Sequence, residues 1–366
     1  MLKVLLYPFT IIYGIIIFIR NFLYDYKILK STEFDVPVIS VGNISVGGTG
    51  KTPHTEYLIS LLRSHVNVVT LSRGYKRETS NFRLVETNST VAEVGDEPLQ
   101  IKRKFPDTIV AVDKNRVHGI NKLKSEFNAD PDIIILDDAF QHRRVKPEIN
   151  ILLIDYNHPI NKDCMLPSGR LREPQYQQKR ADVIIFTKCP EEITPLTRRL
   201  LRKEVNLRPY QSLYFSRFTY GDVTPVFEKH VAVSNLNKSA FDVIMLSGIA
   251  NPDQFRKYLS SKVNLAGEII FNDHHSFTQK DVSLINQKFV SLKENGHEVF
   301  IFTTEKDAIR LKDLENLSGE VKEHFFYIPL KVCFMESESQ SFDKKILDYV
   351  EKNKSNRRLH KGKNTR

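Results

Sequence analysis

The segment Ser45-Val46-Gly47-Gly48-Thr49-Gly50-Lys51-Thr52 orders its residues as phosphoryl transfer requires. A phosphate-binding loop follows G-x-x-x-x-G-K-[ST], after a strand and opening a helix. Its backbone N–H groups and the helix N-terminus face the phosphates. The lysine reaches the terminal phosphates, and the last hydroxyl ligates magnesium. Here Ser45 replaces the first glycine, and Gly47 and Gly48 supply the flexible turn. Gly47, Gly48, Thr49, Gly50, Lys51 and Thr52 are therefore the expected nucleotide contacts, with Thr52 also a metal ligand.

A metal beside such a loop needs an acidic anchor. Asp132-Ile133-Ile134-Ile135-Leu136-Asp137-Asp138 is an apolar strand ending in two carboxylates. Neighbouring residues of a strand face opposite ways, so Asp137 and Asp138 can both serve only if the chain turns there. Gly95-Asp96-Glu97-Pro98 and Asp273-His274-His275 carry further acids and imidazoles, as proton acceptors or as caps and packed side chains. Arg170 and Arg172, in Leu166–Pro174, suit bidentate phosphate contacts or a solvated loop. Thr187-Lys188-Cys189-Pro190 lacks the aspartate of the guanine-reading N/T-K-x-D segment, which leaves ATP as the expected nucleotide.

The elements that must position these groups read as α/β. Short β-branched runs at Val36–Val41, Val66–Leu71, Thr108–Val112, Ile133–Leu136, Ile149–Ile154 and Val183–Thr187 alternate with helical patterns at Thr52–Leu62 and Arg116–Glu126. That alternation predicts a mostly parallel sheet covered by helices on both faces. From about Tyr210 the pattern restarts, with strands at Asp242–Leu246, Ala266–Phe271 and Val299–Thr303. The expected architecture is an N-terminal apolar helix over 1–30, a P-loop NTPase-like kinase core over 31–208, a second, smaller α/β lobe over 209–350 and a basic disordered tail over 351–366.

The formal net charge of +10 is concentrated at the C-terminus, where Lys352–Arg366 holds seven basic and no acidic residues. Setting those seven aside leaves +3. No nucleic-acid module accompanies the charge, so a nucleic-acid partner is not expected, and no obligate protein partner is evident. The three cysteines form no C-x-x-C pair, which argues against a disulfide framework or a zinc site. Val4–Ile19 is uncharged and flanked by Lys3 and Arg20. It is short for a span of about 20 residues, lacks a small-residue cleavage site, and is rich in interfacial aromatics. A membrane-associated helix is expected, spanning or surface-lying; its rival is a helix buried in the protein's own core.

Together these segments resemble the tetraacyldisaccharide 4'-kinases (lipid A 4'-kinases). The similar blocks are Gly42–Pro53, Ser72–Tyr75, Gly95–Pro98, Asp137–His142, Pro167–Pro174, Asp273-His274 and Thr304–Asp307, in the family's order over about residues 1–330. The resemblance implies ATP- and Mg2+-dependent phosphorylation of the 4'-hydroxyl of a tetraacyldisaccharide 1-phosphate, in lipid A biosynthesis, at the cytoplasmic face of the bacterial inner membrane. It implies that Lys51 and Thr52 hold phosphates and magnesium and that Asp137 and Asp138 surround the metal. It also implies that Asp96, helped by His274, takes the sugar proton, with His275 in reserve. Arg170 and Arg172 would steady phosphate charge.

Overall fold

The computed structural model describes residues 2–125, 131–233, 236, 241–273, 275–294, 296–335 and 338–363. The chain divides into two compact units. The first comprises Met1–Thr87, Ile101–Thr219 and Val332–Arg366; the second comprises Asn88–Gln100 and Tyr220–Lys331.

Strands are numbered in chain order: β1 Val38–Gly42, β2 Val68–Ser72, β3 Arg83–Leu84, β4 Ile109–Val112, β5 Ile133–Asp137, β6 Ile149–Asp155, β7 Val183–Thr187, β8 Ser212–Tyr220, β9 Thr224–Pro225, β10 Asp242–Ser247, β11 Asn264–Ile270, β12 Val299–Thr304, β13 Phe325–Ile328 and β14 Leu330–Phe334. The first unit is built on a nine-stranded sheet of order β14-β8-β7-β6-β1-β5-β2-β4-β3. Strand β1 lies between β5 and β6, parallel to both. Strands β1, β2, β5, β6 and β7 are buried along their whole length, as expected for parallel strands covered on both faces. This is the expected α/β sheet. Its topology brings the carboxyl ends of β1 and β5 side by side, where open α/β sheets bind their ligands.

The second unit carries a five-stranded sheet of order β11-β10-β12-β13-β9. Strand β10 pairs in parallel with β11 and β12, and β9 closes the edge antiparallel to β13. Phe300, Phe302 and Phe326 form part of the core on one face of this sheet, and Ile285, Phe289 and Phe325 part of the core on the other.

The N-terminal helix Leu2–Asp25 has an inverted surface. Leu6, Thr10, Tyr13, Gly14, Ile17, Arg20, Asn21, Leu23 and Tyr24 are the sheltered positions, most of them at helical spacing. Their polar groups meet the first unit. Thr10 Oγ1 donates to Ser168 Oγ at 2.7 Å, Tyr13 to the Arg172 carbonyl at 2.9 Å, and Arg20 to the Gln141 carbonyl at 2.6 Å. Asp25 is paired with Arg143 at 2.6 Å and Lys179 at 3.2 Å. Leu5, Phe9, Ile12, Ile16 and Ile19 face outward, each more than half exposed. Only 11% of its most apolar stretch is buried, which removes the reading of a helix in the protein's own core. At the other end, helix Glu338–Lys363 carries the chain into the basic stretch.

Candidate active site

The phosphate loop is shaped by two glycines. Gly47 and Gly50 have φ of 106° and 85°, the left-handed region that side chains disfavour. A Cβ on Gly50 would come within 2.2 Å of the Phe218 ring, and one on Gly47 within 2.7 Å of the Arg170 guanidinium. Gly48 has open space at its Cβ position. Gly50 is the N-cap of helix Lys51–Leu62 and contributes no side-chain cap. The first N–H groups of that helix have no intrahelical acceptor, and they suit an anion.

The loop is tied down on all sides. Asn43 Nδ2 donates to Thr49 Oγ1 at 2.8 Å, and Thr187 Oγ1, at the end of β7, donates to the Thr49 carbonyl at 2.9 Å. His54, fully enclosed, has its pKa pushed down to about 4 by burial. It is neutral, with Nδ1 2.7 Å from the Gly50 carbonyl and Nε2 3.0 Å from Ser216 Oγ. Nδ1 must therefore carry the proton, and Nε2 accepts from the serine. Opposite the loop, residues 170–172 form a strap: Val46 N–H donates to the Arg170 carbonyl and Arg172 N–H to the Ile44 carbonyl, both at 2.7 Å.

The acidic pair lies beside this loop. Asp138 has a left-handed φ of 47°, so the chain does turn at the end of β5. Thr55 Oγ1 donates to Asp137 Oδ1 at 3.1 Å, as does the Asp138 N–H at 3.0 Å. Burial, reinforced by the neighbouring Asp138 charge, pushes the Asp137 carboxyl up to about 6. Burial also disfavours the ionised form of Asp138. Lys51 at 3.8 Å and Arg172 at 3.2 Å outweigh it and hold that carboxyl below the usual range. Arg172 further donates to the Ser45 carbonyl at 3.2 Å and to Asn43 Oδ1. Arg170 donates to the Val46 carbonyl at 3.3 Å. The structure thus gathers the Gly47–Gly50 turn, Lys51, Asp137, Asp138, Arg170 and Arg172 around one loop. A helix N-terminus free of any side-chain cap, a glycine cradle and an oxygen pair beside a lysine fit a nucleotide with a divalent cation.

The second unit holds Asp96. It opens helix Asp96–Lys104, is 3% exposed, and pairs with Arg310; Lys306 lies 3.8 Å away. Lys306 also reaches Glu97 at 3.7 Å and Asp273 at 3.5 Å. His274 lies outside the described residues. His275 is taken up by Asp281, at 3.0 Å, and stacks on Phe271 with ring centroids 4.5 Å apart. Phe218 and Arg310 leave no local signal in the sequence, because each acts on a loop or acid far away along the chain, and His54, four residues past Gly50, sits in no motif that marks it.

Comparison with known proteins decides the family. The model of the Tetraacyldisaccharide-1-P 4'-kinase family matches residues 2–351. The chain belongs to the tetraacyldisaccharide 1-phosphate 4'-kinase family. Proteins named tetraacyldisaccharide 4'-kinase resemble it end to end. That of Phocaeicola vulgatus is 46% identical, covering 96% of this chain and 96% of its own. That of Flavobacterium johnsoniae is 43% identical, covering 96% and 98%. A crystal structure of the "apo" form of LpxK from Aquifex aeolicus in complex with ATP superposes with a TM-score of 0.72 at 31% identity, covering 96% of this chain and 99% of that one. The expectations of an α/β kinase fold, an ATP-dependent phosphotransferase and a role in lipid A synthesis are borne out.

Proposed function

We propose that Lys51 and the N–H groups of Gly47–Thr52 bind the ATP phosphates, and that Asp96 accepts the proton of the disaccharide 4'-hydroxyl. The observation that carries the first part is the meeting of Lys51 and Arg172 on Asp138, next to an N-terminus with no side-chain cap. Magnesium held by Thr52, Asp137 and Asp138 would neutralise charge on the phosphates. Phosphoryl transfer asks chiefly for positioning and neutralisation. As the sugar O–H bond breaks, its proton passes to Asp96. The oxygen then bonds to the γ-phosphorus, and the bond to the β-phosphate oxygen breaks to release ADP. Arg170 and Arg172 would hold the loop in shape and steady phosphate charge. His274 would assist Asp96.

The acceptor is a lipid, and the outward apolar face of helix Leu2–Asp25 supports docking at the inner-membrane surface, on its cytoplasmic side. A buried isoleucine is worth roughly 1.5–3 kcal/mol. Ile12→Asn and Ile16→Asn should each weaken flotation with phospholipid vesicles about tenfold or more. Unchanged flotation would place the membrane contact elsewhere. The central test is transfer of label from γ-labelled ATP to a tetraacyldisaccharide 1-phosphate, with loss of transfer in Lys51→Ala. A Lys51→Ala enzyme that transfers at the wild-type rate would overturn the assignment of the loop.

A further inference from the structure

Asp96 can accept a proton only while ionised, and the second unit is arranged to decide which of its acids is ionised. Four carboxylates are linked there: Asp96 and Glu97 at the start of helix Asp96–Lys104, Asp307 on helix Glu305–Leu311, and Asp273 beyond the end of β11. Two cations face them, Lys306 and Arg310, both on helix Glu305–Leu311. Among the described residues, these charged groups form a chain of ion pairs that includes Asp96. Lys306 is shared, lying 3.5–3.8 Å from Asp96, Glu97 and Asp273. Arg310 is committed to Asp96 and Asp307; its guanidinium contacts Asp96 Oδ2 on one side and Asp307 Oδ1, at 3.3 Å, on the other. Its side chain is 7% exposed, and those of Asp96 and Asp307 are 4% and 0%.

The mounting of Arg310 is rigid. Asp307 Oδ2 accepts the Gly248 N–H at 2.9 Å and the Thr304 hydroxyl at 2.8 Å, and Arg310 also donates to the Gly248 carbonyl at 3.4 Å. A guanidinium so placed favours negative charge on the carboxylate it touches. Asp96 and Glu97 are adjacent and hydrogen-bonded to each other, so two full charges there are costly. Burial first, then Asp96 itself, pushes the Glu97 carboxyl up to about 8. Two adjacent buried acids in hydrogen-bond contact favour sharing one proton, and the cations around them decide which acid holds it.

We propose that Arg310 is a positioning residue that keeps Asp96 ionised by fixing the shared proton of the Asp96–Glu97 pair on Glu97. The proposal rests on the reading of Asp96 as proton acceptor. Among the described residues Glu97 pairs with one cation, the shared Lys306, whereas Asp96 pairs with Lys306 and Arg310. Removing the Arg310 charge makes protonated Asp96 competitive, so the base is populated only at higher pH.

The test is the pH dependence of kcat for wild type, Arg310→Gln and Arg310→Lys, beside Asp96→Asn. Arg310→Gln should lose about 10–10³-fold at pH 7, within the range of lost acid–base catalysis. Its acid limb should move upward by about one pH unit or more, so that raising the pH restores part of the rate. Arg310→Lys keeps the charge and should keep the limb within about half a unit, with a smaller loss from imperfect geometry. A uniform loss in Arg310→Gln with an unmoved limb overturns the proposal and leaves Arg310 a purely structural contact. Should Arg310→Gln fail to fold, the limb of Arg310→Lys decides against that of Arg310→Met. If Asp96→Asn retains normal turnover, the proton-acceptor reading itself fails, whatever Arg310 does.

Discussion

At the phosphate loop, positive φ at Gly47 and Gly50 sets the shape and no side chain caps helix Lys51–Leu62. At Asp96, by contrast, placement falls to long charged side chains, Lys306 and Arg310, on a helix that Thr304 caps. The first site takes its shape chiefly from backbone conformation, tied by hydrogen bonds from Asn43, His54 and Thr187. The second is held by charge balance among partly or fully buried acids, where one lost cation redistributes a proton. On the proposed reading, a loop that binds the same triphosphate every cycle gains from a fixed shape. On the same reading, an acid that takes up and releases a proton gains from a neighbourhood that tunes its ionisation.

The largest effect that separates the two is expected from Asp96→Asn. It should lower kcat by about 10²–10⁴-fold and leave ATP affinity close to wild type, measured by titration calorimetry alongside turnover. An effect confined to ATP affinity would move Asp96 into the phosphate or metal shell and dissolve the contrast between the sites. Lys51→Ala comes next. Loss of one preorganised charge contact costs about 10²–10³-fold in rate. Because Thr187 and His54 hold the loop backbone and Asn43 holds the Thr49 hydroxyl, the variant should keep the wild-type melting temperature within a few degrees.

The phosphate loop and the acidic turn were legible in the sequence because each is contiguous, a strand, a glycine turn and a helix following one another within about 25 residues. The parallel sheet was legible through its alternation of buried strands and helices, though not its strand order. The inverted N-terminal helix was half legible. Its apolar run is plain, but the sheltered row Thr10, Tyr13, Arg20, Asn21 and Tyr24 gains meaning only from partners more than a hundred positions away. The Arg310–Asp96 contact, across 214 positions, left no local trace. Grouping Asn88–Gln100 with Tyr220–Lys331 is likewise a tertiary event that local periodicity does not encode.

The smallest expected effect sharpens the contrast at the two helix starts. Thr304 Oγ1 accepts the Asp307 N–H at 3.2 Å and donates to its carboxylate at 2.8 Å, so it caps the helix that carries Lys306 and Arg310. Removing a threonine cap costs about 0.5–2 kcal/mol of stability. Thr304→Ala should therefore lower the unfolding free energy by that amount, read by denaturant titration, while kcat falls by less than about threefold. That split is expected because the Gly248 N–H still holds Asp307, and Asp307 still holds Arg310. A kcat loss far beyond threefold in a folded variant would mean that the charge cluster, like the phosphate loop, depends on backbone placement at its helix terminus, and the two sites would then differ only in what they bind.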